Sequence, residues 1–250
     1  MFVKKNIISL LIVSVVFALA CTKDDAARQS DSPDTGKGGS LARFTITANR
    51  LYIAEYNAIN VYDLTDPTSP VFRKTVQIGW GVETIFPYQD KLFIGSFDGM
   101  YIYSLQDPDN PVKLGEARHV RSCDPVVAND TVAYVTLRGN SACGPAQDGL
   151  YIYDIKNVTQ PIQKSLLPLS TPGGLGLKDH VVFICRGALG MTLVDVKDPA
   201  KPKEMYTVRD ASYKDVIPYD DLLLCFVENG LLVYDTKDLD HIKKIGGVQY

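Results

Sequence analysis

The chain has 250 residues, of which 46% are hydrophobic and 22% charged, a composition typical of a folded globular protein, which excludes disorder over most of its length. Its 26 basic and 29 acidic side chains give a net charge of −3, with no basic stripe, zinc-ligand spacing or aromatic RNA-binding motif. We therefore expect no nucleic-acid partner, because such binding needs clustered positive charge to neutralise phosphates.

The first twenty residues have the pattern of an export signal. Lys4 and Lys5 precede an apolar run over residues 7–17 that is too short to span a membrane comfortably. The run ends in Ala-Leu-Ala-Cys at residues 18–21, which resembles the lipobox of bacterial lipoproteins. We predict a lipoprotein signal peptide over residues 1–20 and lipidation of Cys21, so that the lipid attaches the protein to a membrane. The alternative is a plain secretory signal with a cysteine at the cleavage site by chance.

A polar segment follows this cysteine. Lys23, Asp24 and Asp25 resemble the surface-export signal of lipoproteins from the Bacteroidetes, which implies the outer face of the outer membrane. A charged tether that only aids solubility is the alternative. Residues 26–40 are rich in Ser, Asp, Pro, Gly and Lys and cannot bury enough apolar area to fold. We predict a flexible tether over residues 21–40 and an outer-membrane lipoprotein exposed on the cell surface.

Five similar phrases recur beyond the tether, each an apolar run that ends in a turn. They read NVYDLTDPTSP, YIYSLQDPDNP, YIYDIKNVTQP, TLVDVKDPAKP and LVYDTKDLDHI. Their equivalent positions, which recur every 40 to 50 residues, are Asp63, Ser104, Asp154, Asp195 and Asp235. A β-rich repeat of this period is typical of a propeller.

The second repeat shows the parts of one unit most clearly. It contains the β-rich runs VETIFPY, KLFIGSF, GMYIYSL and PVKLGEA, separated by turn residues that include Asp98 and Gly99. Prolines such as Pro108 and Pro111 mark the loop before the last strand, since a strand interior would miss their backbone donor. Each repeat is therefore predicted to be a blade of four antiparallel strands.

The predicted fold class is all-β, a five-bladed β-propeller over residues 41–250. The expected blades are residues 41–79, 80–119, 120–170, 171–210 and 211–250. Because no strand is shared between the first blade and the last, we expect closure of the ring to depend on packing between them, and these blades to fray first. An open stack that needs a partner is the alternative.

At the level of residues the repeat resembles the LVIVD-repeat family. The family name is echoed by YIYDI at residues 151–155, TLVDV at 192–196 and LLVYD at 231–235. The resemblance covers nearly all of the chain beyond the tether. It implies a propeller in bacterial envelope or surface proteins, with no shared enzymatic residues to transfer.

Inner strands line the channel of a propeller, and their first residues lie at one end of it. Superposing the five repeats predicts a polar ring at this mouth, formed by Arg43, Thr84, Asp124, Gly173 and Asp215. Converging carboxylates would suit a hard cation. The same groups can instead satisfy backbone donors and pair with one another, and the chain has no dense acidic loop. We therefore predict no metal site and no cofactor.

The third repeat is irregular, because it carries about nine extra residues within 138–149. This loop contains Cys143, and Cys123 precedes the inner strand of the same blade. Since exported proteins meet an oxidising environment, we predict a disulfide between Cys123 and Cys143. Two free thiols are the alternative. Cys185 and Cys225 lie inside second strands and are predicted to be small core residues.

The sequence contains no nucleophile elbow, no H-E-x-x-H, no C-x-x-C and no phosphate loop, so we predict no catalytic residue. Trp80 is expected either to form the aromatic floor of a ligand site or to wedge between blades. The candidate ligand-binding residues are Trp80, Glu83, His119, Arg121, Asp124, Arg138 and Asp215. We predict a binding or interaction module with an envelope protein or glycan as partner. The alternative is an envelope hydrolase or lyase that acts on glycans or peptides at the channel mouth.

Overall fold

The computed structural model describes residues 38–119, 125–139 and 144–250, which form twenty strands in five antiparallel sheets. The first strands are β1 (Phe44–Thr47), β5 (Val82–Tyr88), β9 (Val126–Ala128), β13 (Leu175–Lys178) and β17 (Tyr213–Tyr219). The second strands are β2 (Arg50–Ala54), β6 (Lys91–Ser96), β10 (Val132–Leu137), β14 (Val181–Cys185) and β18 (Leu222–Val227). The third strands are β3 (Ala58–Asp63), β7 (Gly99–Ser104), β11 (Gly149–Asp154), β15 (Met191–Asp195) and β19 (Gly230–Asp235). The fourth strands are β4 (Val71–Gln77), β8 (Val112–Arg118), β12 (Ile162–Pro168), β16 (Lys203–Val208) and β20 (Lys243–Gln249).

Each sheet is a blade whose four strands follow one another in chain order, and we number the blades 1 to 5 along the chain. First strands of successive blades contact one another, from β1 to β5, β9, β13 and β17, so they are the inner strands. The predicted five-bladed β-propeller of four-stranded antiparallel blades is confirmed. None of the residues described forms a helix long and apolar enough to cross a membrane.

The repeated phrase builds a turn that its own side chains stabilise. In blade 1 the Asp63 carboxylate accepts a hydrogen bond from the backbone N–H of Thr65 at 2.7 Å, and Asp66 accepts one from Thr68 at 3.0 Å. Such side-chain to backbone bonds fix the chain reversal after a strand. The first bond recurs in the other blades at Ser104, Asp154, Asp195 and Asp235. The second recurs at Asp107, Asn157, Asp198 and Asp238. The phrase therefore serves the fold.

Four hydrophobic clusters join neighbouring blades, one for each pair from blades 1 and 2 to blades 4 and 5. Consistent with this, every residue of β10 and β14 is buried, as are all of β6 except Lys91, because these strands pack on both faces. Among the described residues no such cluster joins blade 5 to blade 1. In β18 only alternate residues are buried, so one face of blade 5 has no apolar neighbour of that kind.

Hydrogen bonds connect the ends of the ring instead. Ser40, which is buried, donates through Oγ to Asp215 Oδ1 at 3.0 Å and accepts from the Leu175 backbone N at 2.7 Å. The Leu41 backbone N donates to Asp215 Oδ2 at 3.1 Å. A Cβ on Gly39 would lie 2.2 Å from that oxygen, so this close approach needs glycine. We call Ser40, Leu41 and Asp215 the latch. It differs from the closure by packing that we expected, because the apolar faces of blades 1 and 5 share no cluster among the described residues.

Candidate functional site

A cavity of about 900 Å³ opens at the channel mouth and extends along blade 5. It brings together most of the predicted polar residues that fall within the described ranges. Those that line it are Arg43, Glu83, Thr84, Arg138, Gly173 and Asp215. Trp80 and His119 do not line it. Arg121, Asp124, Cys123 and Cys143 lie outside the described residues, as does Cys21.

The backbone pairing defines the ring at the mouth. Thr84 pairs with Gly95 of the second strand in its blade, and Asp215 pairs with Phe226 at the equivalent position. In blade 4 the carbonyl at this level belongs to Gly174, one residue after the predicted Gly173, since Gly174 accepts from Cys185 N. In blade 3 Pro125 occupies the level, because its carbonyl accepts from Thr136 N. The inner strands of blades 2 and 5 have bulges next to Thr84 and Asp215, which change the register by one residue. A comparison of the sequences alone therefore does not detect the one-residue offsets of blades 3 and 4.

Asp215 has few acceptor positions left for a ligand. Besides the latch bonds, its Oδ1 accepts from the Val216 backbone N at 2.9 Å. Burial raises the pKa of its carboxyl above the ordinary value, and the hydrogen bonds from Leu41, Val216 and Ser40 oppose this rise. The side chain predicted as part of a ligand site thus joins the chain start to blade 5.

Apolar side chains form the outer part of the cavity, and the repeat pattern did not predict them as site residues. We call this part the slot; the side chains that line it are Leu41, Ile217, Leu224, Phe226 and Leu231. Phe226 is 47% exposed, which is high for an aromatic residue within a strand. The run LLLCFV of β18 is apolar on both faces, like the second strands of blades 2 to 4, so its sequence gave no sign that one face lines a cavity.

The slot has cations at its inner end. Arg43, Arg138 and Lys214 line the cavity, together with the acids Glu83 and Asp215. Lys214 Nζ lies 3.3 Å from Glu228 Oε1 and 5.7 Å from the centre of the Phe226 ring. Arg43 is an exposed residue and lines the cavity. An anionic group placed there would meet positive charge beside a low-polarity wall.

Trp80 lies between two blades. Its ring packs edge-on against Tyr56 of blade 1 and Phe97 of blade 2, with centroid distances of 5.8 and 5.4 Å. Its carbonyl accepts from Ser96 Oγ at 2.7 Å. Trp80 thus has the geometry of the predicted wedge between blades, although 48% of the residue is exposed. His119 follows β8, and its backbone N donates to the Asp98 carbonyl.

Cys185 and Cys225 are free and buried. Burial raises the pKa of both thiols well above the ordinary value, so neither is a reactive thiolate near neutral pH. This agrees with their predicted role as small core residues. The predicted Cys123–Cys143 disulfide falls outside the described ranges. Within those ranges no group of three His, Cys, Asp or Glu side chains is placed to hold a metal ion.

Tyr213 also reaches the cavity wall, but its hydroxyl is committed to the junction of blades 4 and 5. It donates to Asp210 and meets the Tyr234 hydroxyl at 2.5 Å, while Tyr234 lies 2.8 Å from Asp210 Oδ1. Burial alone would raise the pKa of Asp210, but the hydrogen bonds from Tyr213 and Tyr234 outweigh this effect and lower it. Burial and the Asp210 hydrogen bond raise the pKa of Tyr213. The cluster is a polar link between blades in which the two tyrosine rings are buried and Asp210 is exposed.

No model of a known protein family matches the chain, and no curated protein matches it either. Solved structures do match. A protein from Lactobacillus plantarum superposes with a TM-score of 0.63 at 13% identity, over 82% of this chain and 69% of that one. The periplasmic gluconolactonase PpgL of Pseudomonas aeruginosa gives 0.62 at 12% identity, over 80% and 67%.

A protein of unknown function from Desulfotomaculum acetoxidans gives a TM-score of 0.61 at 12% identity, over 81% of this chain and 66% of that one. Across eight such structures the chain spans 54% to 69% of the partner's length. Likeness at this identity establishes the fold alone, so the class of protein that fold and cavity define is a β-propeller repeat protein.

Proposed function

We propose that the chain is a lipid-anchored binding module of the cell envelope whose ligand site is the cavity at the channel mouth. One observation carries the site: a cavity of about 900 Å³ in which an apolar wall meets charged residues from several blades. Small-molecule sites in proteins have this size and this mixture of apolar lining with a few polar groups. Loops and strand ends of different blades supply the charges, as is usual for sites on rigid scaffolds.

Binding is better supported than catalysis. An envelope hydrolase or lyase, the alternative, would need a carboxylate able to move a proton at the mouth. Asp215 is poorly suited to this role because its oxygens accept from Ser40, Leu41 and Val216. The likeness to a gluconolactonase at 12% identity concerns the fold. A screen of glycan and peptide substrates, with Glu83→Gln as the variant, tests the alternative: turnover lost in a folded variant would overturn the binding proposal.

The envelope location is the second part of the proposal. It is supported by the export-signal pattern of residues 1–20, by the lipobox-like residues 18–21 and by the resemblance to the LVIVD-repeat family. We expect the expressed chain to incorporate labelled palmitate and to fractionate with membranes, and Cys21→Ser to lose both properties. Protease treatment of intact cells tests surface exposure, because only a chain on the outer face would be digested. A Cys21→Ser chain that stays labelled would contradict the anchor.

The ligand site has its own test. The purified chain is exposed to an envelope extract and examined by native mass spectrometry for bound small molecules. We expect an adduct that Leu231→Trp removes, because the larger ring fills the slot beside Phe226. Ile162→Trp is the matched control, since Ile162 is 63% exposed on an outer strand of blade 3. An adduct retained by Leu231→Trp would place the ligand elsewhere.

A further inference from the structure

The slot has the length of a short linear ligand. On blade 5 it begins at the inner strand with Ile217, which pairs with Leu224, and extends through Phe226 to its partner Leu231 on the third strand. Adjacent strands lie about 4.8 Å apart, so this apolar path extends roughly 10 Å outward from the channel. Leu41 of the latch segment lines the same cavity.

The apolar face of blade 5 is exposed where its counterparts are covered. The second strands of blades 2 to 4 pack on both faces, whereas Leu222, Leu224 and Phe226 of β18 all stay partly exposed. Covering such a surface removes apolar area from water and is favourable. A contiguous exposed apolar surface at a cavity is typical of a ligand site.

The inner end of the slot favours a negative group. Three cations and two acids line the cavity. Asp215 already accepts hydrogen bonds on both oxygens, and Lys214 already lies 3.3 Å from Glu228, so the head group is assigned to Arg43. Arg43, which is exposed, lines the same cavity as Leu41 and Asp215. An anion at this end gains charge-assisted contacts, while a cation would compete with the arginines.

We propose that the cavity binds a single-chain amphiphile with an anionic head group, its head near Arg43 and its apolar chain in the slot along Leu224 and Phe226. This inference rests on the proposed function, because it assumes that the cavity is the ligand site. The head group is the carboxylate of a fatty acid or the phosphate of a single-chain phospholipid. Both present the same chemistry, an anion at one end of an acyl chain.

Calorimetric titration of the full chain with defined probes tests the proposal. Burial of each added methylene is worth about a fourfold gain in affinity when complete, so dodecanoate should bind at least about tenfold more tightly than octanoate. Dodecanoate should also bind more tightly than dodecanol, which lacks the charge. Lauroyl lysophosphatidic acid distinguishes the two sources: whichever of it and dodecanoate binds more tightly identifies the head group.

Two variants separate head from tail. Arg43→Met should weaken the affinity for dodecanoate about tenfold, because a charge-assisted contact is lost, and leave the affinity for dodecanol unchanged. Arg209→Met is the matched control, since Arg209 is exposed before blade 5 and does not line the cavity. Leu231→Trp should abolish the binding of both dodecanoate and dodecanol. Far-ultraviolet circular dichroism verifies that each variant is folded.

Several outcomes would overturn the inference. Equal binding of dodecanoate and dodecanol by the wild type would contradict the proposed anionic head group. An Arg43→Met variant that binds dodecanoate as tightly as the wild type would contradict it too. A concentration-dependent dimer in light scattering that Phe226→Asp dissolves would show that a second copy covers the slot. If an extract ligand depends on Leu231 but is not an anionic amphiphile, the inference fails and the proposed function stands. If neither extract nor probe binds in the cavity, both fail.

Discussion

The junction between blades 1 and 2 differs in kind from the junction between blades 5 and 1. The first contains a cluster of twelve buried residues, among them Tyr52, Leu92 and Ile94. Arg50 of blade 1 also contacts Asp109 of blade 2 through two hydrogen bonds, of 2.6 and 3.1 Å. At the second junction the described residues provide the latch and an apolar-walled cavity. Among the residues that the structure describes, packing thus holds four junctions of the ring, and the hydrogen bonds of the latch hold the fifth.

This difference separates stability from function within one repeated architecture. Where two blades pack, apolar surface stabilises the fold and is unavailable to a ligand. Where they do not pack, the same kind of apolar strand is left to bind something else. A repeat protein can therefore gain a site without a new motif, because one unfilled junction leaves a pocket.

The largest effect should distinguish the two junctions directly. Leu92→Ala removes a fully buried side chain from the cluster of blades 1 and 2, and we expect it to lower the free energy of unfolding by about 2–5 kcal/mol. Leu224→Ala makes the same change in the slot, where the side chain is only partly buried, and should cost less than about 1 kcal/mol. Urea unfolding measures both. Equal losses would mean that the slot is packed like the other junctions.

The latch should be the next most sensitive point. Ser40→Ala leaves the buried Leu175 N–H without the acceptor that it has now and removes a donor to Asp215, which should cost about 1–3 kcal/mol. Ser69→Ala is the control, because Ser69 is exposed in a turn of blade 1. Hydrogen exchange should rise in β1 and β17 of the Ser40 variant. Unchanged exchange there would show that the latch does not hold the ends together.

The sequence was sufficient to predict the blades and insufficient to predict the junctions. The period and the turn residues around Asp63 and its equivalents are local, so the phrase could be recognised without knowing what packs on it. Packing between blades depends on residues far apart in the chain. Nothing local distinguishes LLLCFV in blade 5 from VVFIC in blade 4, although one lines a cavity and the other is buried on both faces.

The polar site was predicted only in part for a related reason. Arg43, Thr84 and Asp215 could be aligned because they precede or lie in similar inner strands, and all three line the cavity. The bulges near Val82 and Tyr213 shift the register by one residue and could not be recognised from the sequence. The role of Asp215 in the latch depends on residues 39–41, more than 170 positions away, whose composition is that of a linker.

The pH dependence of stability should have opposite signs at two aspartates, one at each junction. Hydrogen bonds from Arg73 and Thr65, with the charge of Arg50, hold the pKa of Asp63 well below its usual value of about 4. Its stabilising effect is therefore present above that pH and is lost as the pH falls. Burial raises the pKa of Asp215, so the folded state favours its protonated form, and this contribution is lost as the pH rises above about 4.

Urea unfolding between pH 3 and 7 tests both signs. Relative to wild type, Asp63→Asn should lose the contribution that declines on the acid side. Asp215→Asn should lose the contribution that declines as the pH rises. Differences between each variant and wild type isolate the one carboxyl from the many others that titrate in this range. A wild-type minus Asp215→Asn difference that grows with pH would show that the hydrogen bonds of the latch outweigh burial.

The smallest effect concerns the slot itself. Phe226→Ala removes an aromatic ring that is 47% exposed, so it should change the free energy of unfolding by less than about 1 kcal/mol, whereas Phe183→Ala in the core should cost about 3–5 kcal/mol. Binding should respond in the reverse order, because a side chain that contributes little to folding here still supplies ligand contact area. Titration with dodecanoate after verifying the fold measures this. If Phe226→Ala were as destabilising as Phe183→Ala, the slot would be part of the core, and the contrast between the two junctions would not hold.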